Sequence, residues 1–171
     1  MEIHCGHFIL RPLHKRDKES LAKYADNIQI WRNVRDSFPH PFGREDAAAF
    51  IKKCRAADPV TNFCIDYNNE CTGVISFFPQ PDIYRKTAEI GYWLGEPFWG
   101  KGIMTTAVKA MTEHVFQHFD IVRLYAGVLE WNTASVKVLE KCGFTRDCLL
   151  QKAAFKEGRL VNEYRYGLVK D

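Results

Sequence analysis

The chain has no long apolar run: nothing in its 171 residues approaches the ~20 needed to span a bilayer. Its first ten residues, MEIHCGHFIL, lack the apolar stretch of a secretory signal. Neither sign of charge is in large excess. With 24 Lys and Arg against 21 Asp and Glu the formal charge is +3, which removes any general electrostatic case for nucleic acid or an anionic membrane. Six cysteines (Cys5, Cys54, Cys64, Cys71, Cys142, Cys148) are scattered with no Cys-x-x-Cys and no His/Cys pair at zinc spacing. That leaves no metal site and no recognisable nucleophile context. Internal repeats, low-complexity tracts and linkers are absent, as are the P-loop and the G-x-G-x-x-G dinucleotide fingerprint. These absences predict one globular domain over residues 1–171, cytoplasmic, with reduced thiols serving as packing or surface residues.

What is present is a mixed α/β pattern. Phe8 to Leu13 reads as an opening strand ended by Pro12, and Asp17 as an N-cap before Leu21, Tyr24, Ala25 and Ile28 at helical spacing. SFPHPFGRED reads as a loop, followed by a helix with Ala48, Phe50 and Ile51 as its apolar positions. Residues 62–67 and 72–78 form a predicted hairpin around Asn68-Asn69, and 87–94 (TAEIGYWL) a further strand. A helix carrying Ile103, Ala107, Val108, Met111, Val115 and Phe119 on one face comes next, then a strand over 122–129. A short helix over 133–142 is stopped by Gly143, and two last strands, 146–155 and 160–169, turn at Glu157-Gly158. The strand–loop–helix–strand unit in the middle predicts a parallel crossover.

At the carboxyl end of TAEIGYWL stands WGKGIMTTAV, in which Gly100 and Gly102 flank Lys101 directly before a helix. Two glycines there serve equally as a turn or as a cradle whose N–H groups face a phosphate, with the positive helix end behind. The placement favours a site, because ligands of open α/β sheets bind beyond the carboxyl ends of strands. All of the net positive charge lies in residues 99–171, which hold 11 Lys and Arg against 8 Asp and Glu.

Taken together, EIGYWLGEPFWGKGIMTTAV and WNTASVKVLEKCGF resemble the Gcn5-related N-acetyltransferases (GNAT), and more narrowly the ribosomal-protein N-terminal acetyltransferases. LRPL in the first strand and FPHPF…DAAAFI at the second helix agree with that branch. The resemblance implies a GNAT-like mixed central sheet flanked by helices, with splayed strands forming the acetyl-CoA site. It implies acetyl-CoA as co-substrate, no metal, and an amine acceptor, and it leaves monomer and homodimer both open. The family's pyrophosphate loop falls on residues 99–104, so Gly100, Lys101, Gly102, Ile103, Met104 and Thr105 become cofactor-binding candidates. Tyr92, Trp93 and Leu94 fall where the strand's main chain meets the pantetheine arm, and Asn132 where an asparagine reaches the same arm. Asn132 is also a good N-cap with no ligand at all.

An amine attacking a thioester must be neutral, its oxyanion wants a donor, and the departing thiolate takes a proton. Where many relatives carry an acid tyrosine this chain has Leu139, and where several carry a basic glutamate it has Gly127. Ser135, one helical turn after Asn132, is the candidate acid. Glu89 is the candidate base, with Glu130 in reserve. His40 and Tyr164 are candidates to line the acceptor slot, with Tyr166 sharing Tyr164's face. The acceptor implied by the branch is a protein N-terminal α-amine. A small amine or amino-sugar antibiotic, a non-catalytic acyl-CoA-binding module, and an interaction protein whose WGKG is only a turn remain the alternatives.

Overall fold

The structure, a computed structural model, describes residues 2–170. Eight strands hydrogen-bond in the order β1-β2-β3-β4-β5-β6-β8-β7. They are β1 (Ile3–His4), β2 (Ile9–Pro12), β3 (Asn62–Tyr67), β4 (Glu70–Pro79), β5 (Thr87–Leu94), β6 (Arg123–Leu129), β7 (Thr145–Lys156) and β8 (Arg159–Val169). Five α-helices accompany them: α1 (Lys18–Ala25), α2 (Ile28–Trp31), α3 (Arg44–Arg55), α4 (Ile103–His118) and α5 (Thr133–Lys141). The fold is therefore the mixed α/β one expected, with antiparallel pairs from β1 to β4 and in β6-β8-β7, and a parallel β5–β6 pair across α4. No helix among the described residues is long and apolar enough to cross a membrane.

Two compact units make up these residues. The first holds the chain up to Ser76 together with Tyr92–Ile103. Its core gathers Leu21 and Ala25 of α1, Ala47, Ile51 and Cys54 of α3, and Cys64, Cys71 and Val74 of the hairpin. Arg11 is 1% exposed there, donating to Asp17 at 2.8 Å through both terminal nitrogens and to Asp66 at 2.6 Å. Those hydrogen bonds, Asp17's first, raise the guanidinium's pKa and offset the cost of its burial. The hairpin closes at Asn68 and Asn69, both at positive φ (55° and 64°), the geometry a tight two-residue turn demands.

Four local expectations are corrected. A short strand, β1, precedes the opening strand and pairs with it through a turn at Gly6, where φ is 78°. The first helix ends at Ala25 rather than running on to Ile28, because Asn27 starts α2 by accepting from the Gln29 N–H at 2.8 Å. Asp17 stands at the N-cap of α1, but Arg11 and the His14 N–H occupy its carboxylate, so it closes the turn over residues 14–17 and makes no cap bond to α1. In α3 the inward alanine is Ala47, and Ala48 is exposed.

The second unit holds Phe77–Gly91 and the chain from Met104 onward. Ala107, Val108, Met111 and Val115 of α4 are fully buried, as is Leu139 of α5. Phe119, just past the end of α4, meets Phe77 edge-on at 4.7 Å between centroids. On β6, Leu124, Ala126 and Val128 are buried, and they share a face with Tyr166 and Tyr164 of β8. The Tyr166 hydroxyl lies 3.1 Å from a Glu140 carboxylate oxygen, which ties that face to α5. The opposite face of the same strands carries Tyr125, Gly127, Glu163 and Arg165.

Candidate active site

In the first unit, β5 leads into the glycine loop through a tight turn. The Phe98 N–H donates to the Gly95 carbonyl at 3.0 Å and the Trp99 N–H to the Glu96 carbonyl at 3.1 Å. The Trp99 indole N–H then donates to the Leu94 carbonyl at 2.6 Å, tying the loop to the strand's last residue. Trp99 is thus an anchor of the loop, a role its position in the sequence does not disclose. Gly100 and Gly102 both adopt left-handed backbone (φ 72° and 76°), and a Cβ at either would meet no atom within 4 Å. The glycines are therefore needed for backbone shape and not for internal packing. Ile103 and Met104 are buried and hold the start of α4, while Lys101 is exposed, its Nζ 5.6 Å from the Phe98 ring centroid. The first turn of a helix leaves its N–H donors without helical partners, and such donors suit an anion.

Within the same unit Trp93 packs edge-on against Phe38 at 5.7 Å and against the core cluster, so its side chain is structural. A Cβ at Gly73 would come within 2.5 Å of the Trp93 carbonyl oxygen, so glycine on β4 is what lets β5 lie this close. Tyr92 is half-buried, and Leu94 is buried beside the loop it anchors. His40 stacks on Trp31 at 6.0 Å and sits 3.5 Å from the Asp26 carboxylate.

In the second unit, β5 pairs with β6 over only three positions, Thr87–Glu89 against Arg123–Tyr125, although β6 itself runs on to Leu129. Glu89 is half-buried and lies opposite Tyr125, which puts it on the face of Gly127 and Glu163. Tyr164 lies on the other face, with Arg146 4.8 Å over its ring, so Glu89 and Tyr164 do not share a surface. Asn132 caps α5: its Oδ1 accepts the Ser135 N–H at 3.2 Å. That leaves the amide NH₂ of Asn132 free of bonds among the described residues, so capping and ligand binding are compatible. Ser135 is half-buried in the first turn of α5. Leu139 is wholly buried and supplies no acid. Glu130 instead holds the β8 side, accepting from the Asn162 amide at 2.9 Å.

Three of the thiols are held in their protonated form. Burial pushes the Cys54 thiol up to about 11 and raises that of Cys142, while a hydrogen bond with Cys71, reinforced by burial, raises Cys64. Among the described residues no cluster of His, Cys, Asp or Glu fits a metal ion.

The mixed sheet with its parallel β5–β6 pair across α4, entered through a two-glycine loop, is an acetyltransferase-type α/β fold. The family model of the acetyltransferase (GNAT) domain matches residues 7–145, and the chain belongs to that family. It is 37% identical over 164 residues to an uncharacterized N-acetyltransferase, p20, from Bacillus licheniformis, covering 94% of this chain and 92% of the relative. It is also 37% identical over 93 residues to a ribosomal-protein-serine acetyltransferase of Escherichia coli, covering 54% of this chain and 51% of that protein. RimL, a ribosomal L7/L12 alpha-N-protein acetyltransferase solved in complex with coenzyme A, shares the fold at a TM-score of 0.87 and 24% identity, over 100% of this chain and 99% of that one. The protein is accordingly an acetyl-CoA-dependent N-acetyltransferase of the GNAT type.

Proposed function

We propose that this enzyme moves the acetyl group of acetyl-CoA onto the α-amine of a protein or peptide N-terminus, in the cytoplasm, by direct attack on the thioester. The observation that carries the reading is the pair Gly100 and Gly102, both left-handed with no atom within 4 Å of where a Cβ would stand, at the entrance of α4. In this reading the N–H groups of residues 100–105 receive the pyrophosphate and Lys101 adds charge. Main chain of Tyr92–Leu94 and the Asn132 amide hold the pantetheine arm. Ser135 gives a proton to the departing thiolate. An α-amine, with a pKa near ~8, needs less help to lose its proton than a lysine near ~10 does. Support for an N-terminal acceptor comes from the ribosomal-protein-serine acetyltransferase relative, whose similarity spans half of this chain.

The test is release of free CoA from acetyl-CoA with a peptide bearing a free N-terminal serine, beside the same peptide already acetylated and a panel of small amines including an amino-sugar. Turnover confined to the free peptide is expected. Turnover with small amines alone would replace the peptide acceptor, and tight binding without turnover would reduce the chain to an acyl-CoA-binding module.

A further inference from the structure

In the first unit, where α3 packs on α1 and on the turn at residues 15–17, there is an open groove of about 540 Å³. Its rim carries Lys15, Lys18, Lys52 and Arg55, and its floor includes Ala48 and Ile51. No carboxylate and no aromatic ring lines it. The positive excess of the chain lies in residues 99–171, so residues 1–98 carry no net charge. The single-sign rim is therefore local sorting and not a general surplus. Lys18 reaches Glu19 at 3.7 Å, but Arg44 holds the same carboxylate at 2.7 Å.

The helices account for only half of these cations. Lys52 and Arg55 stand in the last turn of α3, where the helix dipole favours positive charge. Lys15 and Lys18 stand at the start of α1, where it opposes them. Four like charges around one groove, two of them against the local field, are a cost that the fold does not need. The backbone that presents them is fixed in advance. Asp17, between Lys15 and Lys18, is 2% exposed and accepts from Arg11 at 2.8 Å and the His14 N–H at 2.7 Å. The groove is also no part of the acetyl-CoA cradle. It lies at the first end of α1, whereas Tyr24 at the last end meets Phe98 beside the glycine loop at 5.1 Å. We propose that the groove docks an acidic peptide segment of a partner protein. Its carboxylates pair with the four cations, and an aliphatic side chain settles over Ala48. A floor of small and aliphatic side chains suits a peptide, whereas a single nucleic-acid strand wants aromatic rings to stack on.

The test is fluorescence anisotropy with a labelled octapeptide of six glutamates and two leucines, acetylated at its N-terminus so that it is no acetyl acceptor. Thermal melting checks that each variant is folded. The wild type should bind the peptide saturably, and more weakly as salt rises. Lys15→Ser with Lys52→Ser should weaken binding about tenfold, and Ala48→Glu by a similar factor. Lys109→Ser with Lys137→Ser, which removes two exposed lysines of the second unit, should stay within twofold of wild type. Alanine in place of both leucines of the peptide should cost about fivefold. No saturable binding by the wild type, an equal loss in the two double variants, or a leucine-free peptide bound as tightly would overturn the proposal. So would tighter binding of oligouridylate or phosphatidylserine vesicles that is lost with Lys15 and Lys52, which would make the groove a polyanion surface.

Discussion

At Gly102 a side chain would meet no neighbour, so the cost of replacing it lies in the backbone, whose φ of 76° is left-handed. Alanine there costs about 1–2 kcal/mol of loop conformation and leaves the fold intact. Glutamate adds a carboxylate where the pyrophosphate would lie, so Gly102→Glu should abolish acetyl-CoA binding measured by calorimetry while far-ultraviolet circular dichroism stays unchanged. Ser135 makes the opposite prediction. Its N–H serves the cap whatever its side chain is, so Ser135→Ala should leave acetyl-CoA affinity alone and lower kcat by roughly 100-fold if the hydroxyl protonates the thiolate. A variant within twofold of wild type would reduce Ser135 to helix chemistry. Both residues stand out in the sequence because each belongs to a local motif. Glu163 does not: its carboxylate reaches Gly127 only through the β6–β8 register, 36 residues away along the chain. Gly127 alone reads as a missing base, and the packing that fills its place is invisible until the strands are paired.

The elements that sequence periodicity located best are those whose ends have their own chemistry. Asn68-Asn69 fixes the β3–β4 hairpin, Gly143 at φ 86° stops α5, and Glu157-Gly158 turns β7 into β8. The elements misjudged are those settled by distant partners. The Asp17 carboxylate is claimed by Arg11 rather than by the helix it precedes, and Asn27 restarts a helix that apolar spacing alone would continue. The loop anchor is of the same kind, since the Trp99-to-Leu94 hydrogen bond needs the turn to be formed first. Trp99→Phe keeps the ring and removes that donor. It should weaken acetyl-CoA binding about tenfold in a calorimetric titration with no change in kcat, and equal effects on both would point to a wider disturbance.

Over the whole molecule, two buried groups set the response to acid. Burial, with the nearby charge of His118, lowers the pKa of His114 below its unfolded value of ~6.5. The unfolded chain then binds the proton first, so stability falls as pH drops below ~6.5. Asp17's carboxylate is lowered by its Arg11 and His14 hydrogen bonds, which prevail over its burial. That contribution is present above ~4 and is lost as pH falls through the folded value. Thermal melting between pH 7.5 and 2 should therefore show two declines, the first removed by His114→Gln and the second retained. Replacing Arg11 by leucine strands two buried carboxylates and should cost about 3–5 kcal/mol in denaturant unfolding at pH 7.

The glycine cradle bears the most weight, and a calorimetric titration of acetyl-CoA into the wild type and Gly102→Glu, both at moderate salt, addresses it directly. Saturable binding by the wild type that disappears in a folded Gly102→Glu is the predicted result. No heat with the wild type, or equal affinity in the two, would contradict the cradle and leave WGKG as a turn.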